Sequence, residues 1–312
     1  MTVEISPMLL FKDLAETLGC SVQYIHKMAK EKNVIPEKAG NRNYISGKEA
    51  QKLLDIKIPK KVISIQTSKG GVGKTTVCQN LAVRLWSYGA KVLLIDLDQQ
   101  SNLTRTFIKD RPSHVFIDIL EEKIAAKDTI LPILDGLSIL PSSIKNAILN
   151  QHMVAYGLER KSVVKDIVNH FVDDFDIIII DCPPAIGPIV SSSTYASDMV
   201  ISPIDPDEYA LEGMKYCHNE IKRFSKENNS KIEFKILLNK YDARTILSSG
   251  IAQQLQSHKD FGKCLFSTIL STSTEFINAR TEKRSIFDSY KQGRACKEID
   301  SLTREILSWP VK

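Results

Sequence analysis

The chain has 312 residues, 43% apolar and 25% charged, which fits one large or two ordinary soluble domains and excludes a disordered, collagen-like or disulfide-stapled protein. Its net charge of +5 is uneven: residues 1–61 hold 11 Lys/Arg against 7 Asp/Glu, the remaining 251 hold 31 against 30, and an anionic partner, most often nucleic acid, is expected at the front. Six scattered cysteines with no C-x-x-C pair, charges within the first thirty residues and no apolar run near the ~20 residues that span a bilayer argue against a zinc cluster, a signal peptide and a membrane span, leaving a cytoplasmic protein with reduced thiols.

The first predicted elements are short helices. Phe11, Leu14, Ala15 and Leu18 recur at helical spacing, Gly19-Cys20-Ser21 makes a turn, and Ser21 caps a second helix with Val22, Ile25 and Ala29 on its core side. Two short helices about a glycine turn form a helix-turn-helix. Gln23, Tyr24 and Lys27 fall opposite that core stripe and are the expected DNA-reading residues, with Arg42, in the extended excursion from Val34 through Tyr44, as a wing contact. Ser46 caps a third helix holding Ala50, Leu53 and Leu54. This order resembles the winged helix-turn-helix of MerR-type regulators, so residues 1–57 are expected to form a small, mainly helical DNA-binding domain.

The charged, proline-containing stretch Ile56–Lys61 marks the boundary, and residues 58–312 follow another pattern. Short β-branched runs alternate with longer amphipathic stretches: Val62–Gln66, Val92–Ile95, Leu137–Leu140, Ile177–Ile180, Met199–Ser202, Ile236–Leu238 and Leu265–Ile269. Nearly continuous apolar strands, each followed by a helix, predict an α/β fold with a mostly parallel sheet covered on both faces. Ligands of such sheets bind at the carboxyl ends of the strands.

The first of these strands runs into Ser68-Lys69-Gly70-Gly71-Val72-Gly73-Lys74-Thr75-Thr76 and then a helix opening with Val77, Leu81 and Leu85. Strand, glycine loop and helix are the context of a phosphate-binding P-loop. Successive backbone N–H groups from Lys69 to Thr76 can curl around phosphate oxygens at the positive end of a helix dipole. Lys74 adds a mobile positive charge near the β and γ phosphates, the Thr75 hydroxyl is placed to ligate Mg²⁺, and Thr76 reaches the α-phosphate side. Ser68 stands where the ordinary G-x-x-x-x-G-K-[ST] pattern has its first glycine, and the variant K-G-G-x-G-K-T-T fits instead.

Carboxylates follow at the strand ends. Alternation puts Asp96 and Asp98 of the second strand on one face, pointing toward the nucleotide. Asp181 closes the run Ile177–Ile180 at the Walker B position, where an aspartate binds Mg²⁺ through water. Asn239, at another strand end, is the candidate for the base edge. Asn239-Lys240-Tyr241-Asp242 also matches the N-K-x-D guanine pattern of GTPases, which keeps guanine open beside adenine.

The P-loop variant and the D-x-D-x-Q segment at Asp96–Gln100 resemble the deviant Walker A ATPases, the ParA and MinD group. Segments at Ile204–Gly213 and Leu237–Thr245 are similar too, so the resemblance covers roughly residues 62–305. Gln99 departs from the proline usual in that family. The resemblance runs on through Ala243-Arg244-Thr245 and so implies ATP with Mg²⁺. It further implies that Lys69 crosses a dimer interface to the partner's nucleotide, that Asp98 positions or polarises the attacking water, and that Asp96 helps to hold the metal's hydration shell. The class implies an ATP-dependent homodimer that binds DNA, associates with the nucleoid and hydrolyses ATP slowly when stimulated by a ParB-like centromere-binding protein. With the N-terminal domain on an operator, autorepression is expected as well.

A second, sequence-independent DNA surface is expected where Arg280, Lys283, Arg284, Lys291, Arg294 and Lys297 fall within eighteen residues, with Arg280 and Arg284 as contacts. Glu282, Asp288 and Glu298 lie among them, and a solvated face is the alternative. Two other functions compete. A MinD-like membrane-positioning ATPase would use the tail Ile299–Lys312, with Leu302, Ile306, Leu307 and Trp309 on its apolar side. A nucleotide-sensing transcriptional repressor would need only the front domain and the loop.

Overall fold

The computed structural model describes residues 1–54, 57–155, 162–207, 210–227 and 231–309. Ile56 of the boundary stretch, Glu208 and Tyr209 of the segment Ile204–Gly213, and residues 310–312 of the tail lie outside the described residues.

Strands β1 (Leu9–Leu10), β2 (Glu37–Ala39) and β3 (Arg42–Ile45) form a small antiparallel sheet in the order β1-β3-β2. Strands β4 (Lys61–Ile65), β5 (Val92–Asp96), β6 (Leu131–Leu134), β7 (Leu137–Leu140), β8 (Ile177–Asp181), β9 (Met199–Ile204) and β10 (Glu233–Leu238) form a seven-stranded sheet in the order β10-β9-β4-β8-β5-β7-β6. Every neighbouring pair in it is parallel except β6 with β7. Alternation explains why the strands are apolar throughout: Ile63, Ile65, Leu94 and Ile179 enter the core on one face, and Val62, Leu93, Ile95 and Ile178 enter the core on the other. The mostly parallel P-loop sheet expected from the sequence is therefore present. The run Leu265–Ile269 is not a strand; it follows β10 through an isolated bridge between Ile236 and Leu265. The hairpin strand β6 carries too little alternation to be seen in advance.

At the front, helices Phe11–Leu18 and Val22–Glu31 meet at Gly19, whose φ of 65° closes the first helix in the left-handed region that a side chain disfavours. Ser21 caps the second helix by accepting from the Tyr24 amide at 3.2 Å, and the hairpin β2–β3 leads to a third helix, Gly47–Leu54. Leu9, Phe11, Leu14, Ile25, Ala29, Leu53 and Tyr88 share one small core. Leu18 and Val22, expected inside, are each 36% exposed because they flank the turn where the two helices splay.

This front unit is not set apart from the body. Val3 and Ile5 are buried in the body's core, and the Met8 amide donates to the Phe287 carbonyl at 2.9 Å. Arg84, fully buried near the end of helix Lys74–Ser87, donates to Asp300 at 2.6 Å and to Asp13 of the first helix at 3.1 Å. Burial works against its charge, but Asp300, Tyr88 and Asp13 outweigh it and hold the guanidinium protonated. Tyr88 donates to Asp300 at 2.7 Å and pairs with Thr17 at 2.9 Å. The closing helix Arg294–Ile306 turns Ala295, Cys296, Ile299, Leu302 and Ile306 into the same core. The apolar side of the tail is thus spent inside the protein, and no helix among the described residues is long and apolar enough to cross a membrane.

Candidate nucleotide site

The loop between β4 and helix Lys74–Ser87 bends at two glycines with positive φ, Gly71 at 77° and Gly73 at 89°. Among the described residues, the amides of Gly70, Gly71, Val72 and Gly73 have no acceptor in the protein. A run of unsatisfied N–H groups at a helix N-terminus is an anion cradle. Lys74 is buried at the head of that helix, and its ammonium lies 3.4 Å from the Lys69 carbonyl. Burial lowers its basicity, and Asp181 acts in the opposite direction. Lys74, Thr75, Thr76, Asp98, Asn239 and Lys240 all border one open cleft.

The parallel register of β5 and β8 sets Asp96 beside Asp181 at the carboxyl edge of the sheet. Thr75 donates its hydroxyl to Asp181 Oδ2 at 2.7 Å, while Asp181 Oδ1 is buried without a hydrogen-bond partner among the described residues. Burial pushes the Asp181 carboxyl up, and the Thr75 hydrogen bond and Lys74 hold it back. An orphaned buried carboxylate oxygen next to a threonine hydroxyl, facing a phosphate cradle, fits a hydrated divalent cation. Asp96 is differently engaged: its oxygens accept from the Asp98 amide at 3.1 Å, the Thr104 amide at 2.9 Å and the Thr104 hydroxyl at 2.7 Å. Burial, then the charge of Asp181, raises its pKa. Asp96 therefore braces the loop that carries Asp98. The Asp98 side chain accepts from the Gln100 amide at 2.9 Å at the cleft's edge, and its carbonyl accepts from Ser142 at 2.6 Å. Thr104 and Ser142 are supports the sequence reading missed, since neither lies in a motif.

Lys69 forms an ion pair with Asp207 of its own chain. Asn239 does not project freely into the cleft: its Nδ2 donates to the Val72 carbonyl at 2.7 Å, and Lys240 Nζ donates to the Gly71 carbonyl at 2.6 Å. Both oxygens of Asp242 accept from Arg244, at 2.9 and 2.7 Å. Of the expected DNA contacts, Gln23, Tyr24 and Lys27 are exposed on one side of their helix. Arg42 instead donates to the Tyr290 carbonyl at 2.7 Å and docks the hairpin on the body. Arg280 borders the nucleotide cleft, and Arg284 pairs with Glu282.

Residues 60–234 match the model of the AAA_31 family, described as an AAA domain. An uncharacterized protein of Pseudomonas putida is 31% identical over 251 residues, which cover 79% of this chain and 94% of that protein. The chromosome-partitioning ATPase Soj of Treponema pallidum is 29% identical over 251 residues, covering 80% of this chain and 97% of that protein. Among solved structures, McdA of Cyanothece in complex with ATP matches with a TM-score of 0.70 at 21% identity, over 80% of this chain and 97% of that one, a likeness of fold. The family match takes in more than half of the chain and contains the cradle, both strand-end aspartates and Asp98, and the chain belongs to the AAA_31 family of P-loop ATPases.

Proposed function

We propose that the chain is a DNA-partition ATPase that uses Mg²⁺–ATP. The observation that carries this reading is the cradle: acceptor-free amides from Gly70 to Gly73 beside a Thr75–Asp181 pair with one unpartnered carboxylate oxygen. The similarity to a chromosome-partitioning ATPase supplies the setting. The amides and Lys74 bind the polyphosphate, Thr75 and Asp181 hold the cation, and Asp98 orients the attacking water. A divalent cation held by Thr75 and Asp181 would neutralise charge on the phosphates.

In the proposed cycle, two ATP-bound copies associate, and Lys69 leaves Asp207 to stabilise charge on the partner's nucleotide. Duplex DNA is held sequence-specifically by Gln23, Tyr24 and Lys27, which makes the protein an autorepressor at its operator. The dimer holds DNA non-specifically, with Arg284 among the basic residues involved, and is nucleoid-associated. A ParB-like centromere-binding protein stimulates turnover. Packing of the tail's apolar side into the core favours this reading over the membrane-positioning one.

The test is a salt titration of duplex binding by the full chain with ATP, with ADP and without nucleotide. Affinity should fall steeply with salt and be about tenfold stronger with ATP, because a dimer doubles the phosphate contacts. Equal affinity in the three states, or no binding at low salt, would overturn the proposal.

A further inference from the structure

We infer that Asn239 and Lys240 are positioning residues of the phosphate cradle, which hold two consecutive loop carbonyls and thereby aim the Val72 and Gly73 amides at the phosphates. The inference rests on the ATPase reading of the site. Lys240 Nζ takes the Gly71 carbonyl at 2.6 Å and Asn239 Nδ2 takes the Val72 carbonyl at 2.7 Å. In a planar trans peptide the carbonyl of one residue and the N–H of the next point to opposite sides. Capture of the Gly71 oxygen therefore fixes the Val72 N–H, and capture of the Val72 oxygen fixes the Gly73 N–H. Neither N–H has an acceptor in the protein among the described residues, so both are left for a ligand.

Two backbone features agree with this. A Cβ at Gly73, whose φ is 89°, would stand 2.4 Å from Asn239 Nδ2, so the brace and a side chain at 73 exclude each other. Lys240 has a φ of 54°, which is uncommon outside glycine, and its backbone is pinned where Thr272 donates to its carbonyl at 3.0 Å. The exposed lysine is thereby turned back on the loop.

The experiment uses the full chain and two probes, Mg²⁺–ATP and Mg²⁺–tripolyphosphate, which shares the phosphates and lacks the base. Lys240→Gly removes the ammonium and suits the backbone, so folding should be kept. Affinity for both probes should fall by the same factor, about tenfold for a charged hydrogen bond. Lys240→Arg should recover most of it. Unchanged affinity for both probes in Lys240→Gly, or a loss confined to ATP, overturns the inference. Failure of the wild type to bind Mg²⁺–ATP would instead sink the ATPase reading beneath it.

Discussion

The two ends of helix Lys74–Ser87 make opposite uses of polar groups. At its start, among the described residues, the loop amides have no acceptor and Asp181 Oδ1 has no hydrogen-bond partner. Near its end Arg84 is fully buried and bonded to Asp13 and Asp300, which lie 71 and 216 residues away in sequence. One end offers a run of loop amides and a carboxylate oxygen to a ligand; at the other, two carboxylates of the chain meet the charge of Arg84, although its Nη1 has no hydrogen-bond partner among the described residues. A function-bearing end should therefore lose binding without losing stability when mutated, and the buried end should do the reverse.

Lys74→Ala should separate them most widely. It removes the main counter-charge to the phosphates, and nucleotide affinity should fall by about 100-fold or more, with the melting temperature held within about 3 °C. Retained micromolar binding in calorimetry would show that the cradle is not the site. Arg84→Met should leave binding by the folded protein intact while costing about 3 kcal/mol in chemical denaturation, because the half-buried Asp13 loses its counter-charge and the buried Asp300 keeps only Arg304. If the folded variant no longer binds nucleotide, the two ends are coupled and the contrast is wrong.

A smaller loss is expected from Tyr88→Phe, about 1–2 kcal/mol, as its hydroxyl bridges Thr17 and Asp300 across the seam. A loss below about 0.3 kcal/mol would mean that water replaces the hydroxyl there. A pH-dependent effect concerns Asp288, which accepts from the Ser6 amide at 3.2 Å and the Ser285 amide at 2.9 Å and so ties the N-terminal arm to the body. Burial raises its pKa from 3.8 to about 6. A carboxyl raised on folding contributes stability below its unfolded value and loses that contribution as pH rises through the folded one. Wild-type stability should thus decline more between about pH 4 and pH 6 than that of Asp288→Asn. Parallel curves would contradict the shift.

The same contrast explains what could be read in advance. The cradle was legible because glycines, lysine and threonines act within one loop, and the flanking strand and helix have their own apolar patterns. Asp181 was legible because a run of isoleucines delivers it to the sheet edge. The division at residue 57 was drawn from a composition change that says nothing of Val3 and Ile5 reaching into the other core, or of Arg84 reaching Asp13. Arg42 and Arg280 looked alike as exposed basic residues, yet one is used on a body carbonyl and the other borders the cleft. Charge in a sequence gives a sign without a direction, and only the packing supplies the direction.

The claim on which the rest depends is that this cleft hydrolyses ATP with Asp98 acting on the water. The direct measurement is ATP affinity and turnover, with Mg²⁺, for the wild type and Asp98→Ala. The variant should bind ATP within about threefold of the wild type, since Lys74, Thr75 and Asp181 remain, while turnover falls by about 100-fold or more. Turnover within about threefold of the wild type would contradict the account.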